Sequence, residues 1–511
     1  MLTGDFLQFP AARLPDKVAM ICGDRRMTFA EADSLSNRLA HALLAHGLGK
    51  GAHVAILSTN TPEYAIAHFA TARAGAVLTH FSFRMTAEEM SALARKIGVV
   101  ALLVDPLLAE LARSVVQLTP ELRTVVMLGD APAGGSWPDL QKFIADADAK
   151  PPEVTVREDA PVGIIFTGGT TGLPKAVLVS HKARVASTIA AMVEFGIDER
   201  DVVGCAAPLF HNAGLYCWFQ MAVGLGCTSV LMPTWHPGAV QQICEEQRIT
   251  ALFAVPTQLN GLLLHKGFDA ARFSQLRKIN FAGARMPAQQ FERLDRTFPE
   301  AELIEHYGQS EFGIISVRRH WRNADKAATV GRAAFNVEIA VFNSDGNRLP
   351  AGENGEIAVR GDGVMTGYVG DQEETARYLR FDGWLYTGDI GSLDLEGYLT
   401  LVDRSKDIII IGGENIASAE VEGALYGHDS VAECAVFAIP DEHWGEVPAA
   451  HVVLKPGASV SEQELQAFCG TRIPNHKRPR LIKFVESLPK TPVGKVQKAV
   501  IRREYWGALK R

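Results

Sequence analysis

From residue 53 the chain alternates between short apolar runs and stretches with helical spacing. Residues 53–58, 76–81, 99–105 and 124–129 are aliphatic and rich in β-branched side chains, the pattern of strands buried on both faces. Between them, 87–97 carries apolar residues at the spacing of an amphipathic helix. Thr61-Pro62-Glu63 supplies a helix cap, a proline at the first helical position and an acid in the first turn. Strands alternating with helices predict βαβ units and a largely parallel sheet. The Pro/Gly-rich piece 131–136 and the polar stretch 146–159 read as surface connections, after which the alternation resumes at 202–207, 228–232 and 250–255.

Near residue 335 the texture changes. Residues 337–342, 355–360, 384–387 and 398–402 are short strands separated by Gly, Asp and Asn turns, the signature of a small antiparallel unit. The charged segment Asp403-Arg404-Ser405-Lys406-Asp407 then separates two apolar runs. Beyond it, 418–425 and 462–470 read as helices and 432–439 and 450–454 as strands, enough for a small α/β domain. The expected fold is α/β: a large N-terminal domain with βα-alternating sheets and a small β unit, followed by a small C-terminal α/β domain.

Composition narrows the functional classes. At 511 residues, 47% of them hydrophobic, the chain can bury several cores in two to four compact units without metal or disulfide staples. A net charge of -7 disfavours a nucleic-acid binder. Seven cysteines with no CxxC pair argue for a reducing compartment and against zinc or a disulfide framework. The start, MLTGDFLQFPAARLPDK, lacks a signal-peptide pattern, and no apolar run approaches the ~20 residues of a membrane helix. The expectation is a soluble, cytoplasmic protein.

The first candidate for chemistry is Phe166-Thr167-Gly168-Gly169-Thr170-Thr171-Gly172-Leu173-Pro174-Lys175, which follows an apolar strand at 162–166. Its glycines let backbone N–H groups turn toward one point, and three threonine hydroxyls and a lysine add donors there, a concave anion site suited to polyphosphate. The spacing is not that of a Walker A loop. Taken alone, the loop is equally well a turn.

Its company decides. Pro208-Leu209-Phe210-His211, Tyr307-Gly308-Gln309-Ser310-Glu311, Tyr386-Thr387-Gly388-Asp389, the 403–407 segment running into Gly412-Gly413-Glu414-Asn415, and Pro489-Lys490-Thr491-Pro492-Val493-Gly494-Lys495 occur in that order. With the loop, this set resembles the adenylate-forming superfamily of acyl- and aryl-CoA synthetases, adenylation domains and luciferases. Within that superfamily it resembles 4-chlorobenzoate–CoA ligase-like enzymes most, through 251–257, 281–284, 412–416 and His443-Trp444-Gly445. Departures are small: Gly169 stands where the family usually has Ser, Ala176 where it has Gly, and Ser310 where it has Thr.

The resemblance implies an ATP-dependent acid–CoA ligase that joins a carboxylic acid to AMP and then passes the acyl group to coenzyme A. Thr167, Gly168, Gly169, Thr170, Thr171, Gly172 and Lys175 would hold the phosphates, and Glu311 would help hold Mg2+. Gly283, Ala284, Arg285, Tyr307, Gly308, Gln309 and Ser310 would form the adenine slot, with Asp389 and Arg404 on the ribose. Lys495 would reach the carboxylate and α-phosphate, with His211 also at the reacting centre. Lys406 would be the hinge between a domain at 1–403 and a mobile lid at 404–511. The acyl pocket would comprise His211, Asn212, Ala213, Phe253, Ala282, Gly283, His306, Gly313 and Ile314. Arg84, Gly412, Gly413, Trp444, His476, Lys477 and Arg478 would meet coenzyme A. The expected acid is small and aromatic, with a hydroxyl or amino group to meet the polar Asn212 and His306. Two other readings stay open: a medium-chain or branched fatty acyl-CoA synthetase, and a stand-alone adenylating enzyme that loads a carrier protein. The expected partners are small molecules, with no nucleic acid and no membrane span, and the chain is compatible with a homodimer.

Overall fold

The computed structural model describes residues 1–130, 136–167, 173–284, 286–319, 326–380, 382–411, 414–490 and 496–506. The strand–helix alternation builds two large sheets. In one, Lys175–Ser180, Pro161–Thr167, Val77–Phe81, His53–Leu57, Val99–Val104 and Thr124–Met127 lie side by side in that order. All neighbours in this run are parallel except the first two, which form an antiparallel hairpin. In the other, Glu302–Gln309, Lys278–Ala282, Ala251–Ala254, Val202–Cys205, Thr228–Leu231 and Val18–Cys22 run parallel, and Gly313–Arg319 folds back antiparallel on Glu302–Gln309.

Parallel sheets need cover on both faces, and the helices supply it. Pro62–Ala74 is buried along nearly its whole length and lacks a polar face, as an interior helix should. Thr61 caps it as expected, accepting from the Tyr64 N–H at 3.2 Å. A single apolar cluster then joins both sheets: Val54, Ile56 and Leu78 from one and Met20, Val203 and Phe253 from the other, bridged by Phe29, Phe69, Trp218 and Phe219.

The small antiparallel unit is Glu338–Phe342, Gly355–Arg360, Leu385–Leu393 and Leu399–Arg404. Its third strand runs further than the expected 384–387. It continues through Gly388, whose φ of +72° suits glycine, into residues whose apolar signal is broken by Asp389. The last hundred residues have their own core of Ile409, Val421, Val436, Val452, Leu465 and Ile482. The two expected strands there are the arms of one long hairpin, Val431–Asp441 with Gly445–Leu454. Asp441 accepts from the N–H groups of His443 and Trp444 at its tip. Among the described residues no helix is long and apolar enough to cross a membrane.

In the second sheet Arg318 donates to Glu305 at 2.5 Å with both side chains under 10% exposed. Glu305→Ala leaves the guanidinium buried without its counter-charge and should cost about 3–5 kcal/mol in urea unfolding, whereas Phe9→Ala at the exposed surface should stay within about 0.5 kcal/mol. Burial also holds His68 and His181 down to a pKa of about 4 and His306 to about 3. The unfolded chain therefore binds protons below pH ~6.5 that the folded chain refuses. Stability should fall as pH drops from ~6.5 toward 4, each such histidine contributing on the order of 1 kcal/mol per pH unit. Denaturation at stepped pH checks this, with His68→Gln expected to flatten the slope.

Candidate functional site

The carboxyl ends of parallel strands are where α/β sheets gather ligands, and most of the expected residues lie there. Ala282 ends its strand in register with His306 on the next, and Phe253 lies one strand further out beside Asn280. Glu302–Gln309 carries His306, Tyr307, Gly308 and Gln309, then turns through Ser310, Glu311 and Phe312 into Gly313–Arg319. The turn is tight enough that a Cβ on Gly308 would fall 2.1 Å from the Gly313 carbonyl oxygen, so no other residue fits there.

Tyr307 points across to the small antiparallel unit and donates its hydroxyl proton to Asp389 Oδ2 at 2.6 Å. Arg404, in register with Asp389 on the neighbouring strand, meets the other carboxylate oxygen at 3.3 Å. Gln309 Nε2 donates to the Thr387 carbonyl at 3.4 Å. Asp389 is thus no turn-closing residue, because its carboxylate faces away from its own loop and toward Tyr307. Burial, reinforced by Asp389, pushes the Tyr307 phenol well up, so it remains a proton donor.

Two of the acyl-pocket candidates, Phe253 and His306, lie among the buried rings of Phe195 and Trp218. His306 lies 5.1 Å from the Phe195 ring and 5.6 Å from Phe253, and Phe253 lies 5.7 Å from Trp218. Burial keeps His306 neutral. Its Nδ1 meets Asn280 Oδ1 at 2.7 Å, and an amide oxygen only accepts, so Nδ1 carries the proton and Nε2 is left an acceptor. Asn212 differs from the expectation of a polar group awaiting substrate. Arg184 donates to its Oδ1, and its Nδ2 meets the Cys217 sulfur at 3.7 Å, so both ends of the amide are engaged within the protein. His211 and Asn212 lead into a π-helical turn, Ala213–Phe219, a feature common at functional sites. Gly214 permits it, since a Cβ there would lie 2.4 Å from the Pro208 carbonyl oxygen. Gly283, Ala284, Gly313 and Ile314 complete the same end of the sheet, Gly313 and Ile314 opposite Gln309 and Gly308.

The phosphate-side candidates come from the hairpin. Thr167 and Lys175 are cross-strand partners, so the intervening loop springs from one pair of strand ends. Gly168, Gly169, Thr170, Thr171 and Gly172 lie outside the described residues, as do Arg285, Gly412, Gly413 and Lys495. Lys175 is engaged by Glu374 and lies over the rings of Tyr368 and Tyr378. Glu311 accepts from the Tyr368 hydroxyl at 2.9 Å. One carboxylate at this point suits a magnesium ion, which takes most of its oxygens from phosphates and water.

Around the proposed hinge, the 403–407 segment is stapled to the C-terminal helix Lys498–Trp506. Arg502 donates to the Lys406 carbonyl at 2.6 Å and pairs with Asp407 at 3.0 Å. Lys498 pairs with Glu422 at 2.7 Å and donates to Ser418 Oγ, which donates to Asp403. Of the coenzyme A candidates, Arg84 packs near Phe83, itself edge-on to Phe210 beside His211. Trp444 is 46% exposed at the hairpin tip beside His443. Lys477 pairs with Glu420 at 2.8 Å, His476 shares its short helical turn Asn475–Lys477, and Arg478 lies against Gly470.

Three participants were not singled out in the sequence: Tyr368, Glu374 and Arg184. The first two lie between recognisable motifs, with no local pattern of their own. Arg184 is wholly buried yet sits within an ordinary helical run, where a lone arginine reads as surface.

Residues 7–369 match the family described as AMP-binding enzyme, and residues 420–495 match the AMP-binding enzyme C-terminal domain. The chain is 36% identical over 497 residues to a feruloyl-CoA synthase from Amycolatopsis sp, covering 96% of each protein. It is 32% identical over 507 residues to the fatty acid–[acyl-carrier-protein] ligase ScoC of Streptomyces coeruleorubidus, covering 98% of this chain and 95% of that one. The crystal structure of the anthranilate CoA ligase AuaEII in complex with anthranoyl-AMP superposes with a TM-score of 0.92 at 25% identity, covering 99% of this chain and 97% of that one. With a match over most of its length and relatives above 30% identity from end to end, the chain belongs to the AMP-binding enzyme family of adenylate-forming enzymes.

Proposed function

We propose that the protein is an ATP-dependent carboxylic acid–CoA ligase acting on a small aromatic acid. The observation that carries this reading is the Tyr307–Asp389–Arg404 contact, set beside the strand ends that bear Ala282 and His306. A carboxylate held by two donors is suited to ribose hydroxyls, and the match to the AMP-binding family supports that use of it.

In the first step a carboxylate oxygen of the acid attacks the α-phosphorus of ATP, the bond to the bridging oxygen breaks, and pyrophosphate leaves with the electron pair. Lys175 and the 167–172 loop hold the phosphates, and Lys495 approaches the carboxylate and α-phosphate as charge shifts between them. Gly283–Arg285 and Tyr307–Ser310 flank the adenine. Magnesium, held in part by Glu311, would neutralise polyphosphate charge. In the second step the thiolate of coenzyme A attacks the acyl carbon, and AMP departs with the electrons of the broken C–O bond. The thiol proton is lost to solvent. Lys495 and the thiol need the same space, so the unit from 404 onward must turn about Lys406 between steps. Arg84, Trp444, His476, Lys477 and Arg478 then meet the nucleotide end of coenzyme A, with Gly412 and Gly413 along the pantetheine.

The aromatic assignment is supported by His306, whose protonated Nδ1 leaves Nε2 an acceptor for an acid bearing a hydroxyl or amino group. Likeness to feruloyl-CoA synthase and to the anthranilate ligase supports it. A carrier-protein thiol as acceptor is the second reading, favoured by the likeness to ScoC.

Lys495→Ala should lower acyl-AMP formation, followed by acid-dependent pyrophosphate release, by about 100-fold or more while leaving transfer from preformed acyl-AMP to coenzyme A within a few-fold of wild type. Equal loss of both half-reactions would contradict the role given to that lysine. In a panel of benzoates, cinnamates and straight-chain acids, hydroxy- and amino-substituted aromatics should lead. His306→Leu should erase their advantage over the unsubstituted acids, a change of roughly 10-fold in kcat/KM. Octanoate outrunning every aromatic acid would reverse the substrate assignment.

A further inference from the structure

Lys175, the lysine that closes the phosphate loop, is not held out toward an open site. Its ammonium is paired with Glu374 on the helix Gln372–Tyr378 and sits 5.0 Å from the ring centre of Tyr368 and 4.7 Å from that of Tyr378. A carboxylate and two π faces make a three-sided cage for a cation. The cage borders the nucleotide site on two sides. Tyr368 donates to Glu311 at 2.9 Å, and the Tyr378 ring lies 3.6 Å from where a Cβ on Gly388, the neighbour of Asp389, would stand.

The helix that carries Glu374 flanks a cleft of about 710 Å3 lined by Leu178, Tyr368, Thr375, Ala376 and Leu379. Glu374 also meets Arg377 at 3.4 Å, on the exposed side of its own helix.

We infer that Glu374 is a positioning residue that keeps Lys175 against Tyr368 and Tyr378 and that yields the lysine when polyphosphate arrives. The inference rests on the reading that Lys175 serves the phosphates of ATP. One physical consequence follows. The Lys175–Glu374 pair removes a net positive charge from the phosphate site, so the incoming nucleotide must break an ion pair before it gains one, which weakens its binding.

Glu374→Gln keeps the shape and an oxygen acceptor for Lys175 but deletes the charge. Titration calorimetry of the full chain, without any acid substrate, should show MgATP and inorganic pyrophosphate each binding roughly threefold to tenfold more tightly than to wild type. Glu374→Ala, carried in parallel with a thermal melt of each protein, should shift both affinities in the same direction. In a Lys175→Ala background the Glu374→Gln change should have no effect, since there is no ammonium left to release. A purely structural role for Glu374 would not produce that pattern. Unchanged or weaker binding by Glu374→Gln, or a gain that persists without Lys175, would overturn the inference alone. Failure of the wild-type protein to bind either MgATP or pyrophosphate would overturn the functional reading and the inference with it.

Discussion

The carboxylate of Asp389 is the point on which the rest of the site depends. Tyr307 reaches it from the end of the nine-stranded sheet and Arg404 from the adjoining strand of the small β unit. The first of these contacts joins residues 82 positions apart in the sequence. Asp389 is only 8% exposed, so its charge is stable there only because donors meet both oxygens. A buried carboxylate held in that way is rigid and still has lone pairs for vicinal hydroxyls.

The same arrangement links the nucleotide site to the segment proposed to turn. Arg404 belongs at once to the Asp389 contact and to the charged 403–407 stretch. Two residues on, the carbonyl of Lys406 accepts from Arg502 on the C-terminal helix. Two residues separate Lys495 from Lys498, which is anchored to Glu422 and Ser418 in the C-terminal domain. Under the proposed turn about residue 406, the helix Lys498–Trp506 moves with Ser418 and Glu422, which anchor it.

Much of the fold was legible from residue patterns because parallel strands buried on both faces leave strong local signals. Val99–Val104 and Ala251–Ala254 are uninterrupted apolar runs with burial to match. The capping threonine at 61 marked the start of its helix. The strand beyond Gly388 and the hairpin tip at 441–445 were read short, since Asp389 and the 441–446 polar residues mask extended backbone. The π-helical turn at 213–219 left no signal, because it arises from Gly214 closing on the Pro208 carbonyl, a contact and not a composition. Within the site, motif-borne residues were found and their partners were not. Tyr368 and Glu374 act through Glu311 and Lys175, 57 and 199 positions away, and single-sequence periodicity carries no information at that range. Asn212 was expected to want a substrate partner, and the buried Arg184 that satisfies it shows why a polar residue in a pocket is not by itself a specificity contact.

The central claim is that an acyl-adenylate forms at this site, with the oxygen of the acid becoming part of AMP. The most direct measurement is a single-turnover reaction with carboxylate-labelled 18O acid, ATP, magnesium and coenzyme A, followed by mass spectrometry of the nucleotide. The account predicts one labelled oxygen in AMP and none in pyrophosphate. Label appearing in inorganic phosphate, with ADP as the nucleotide product, would contradict it.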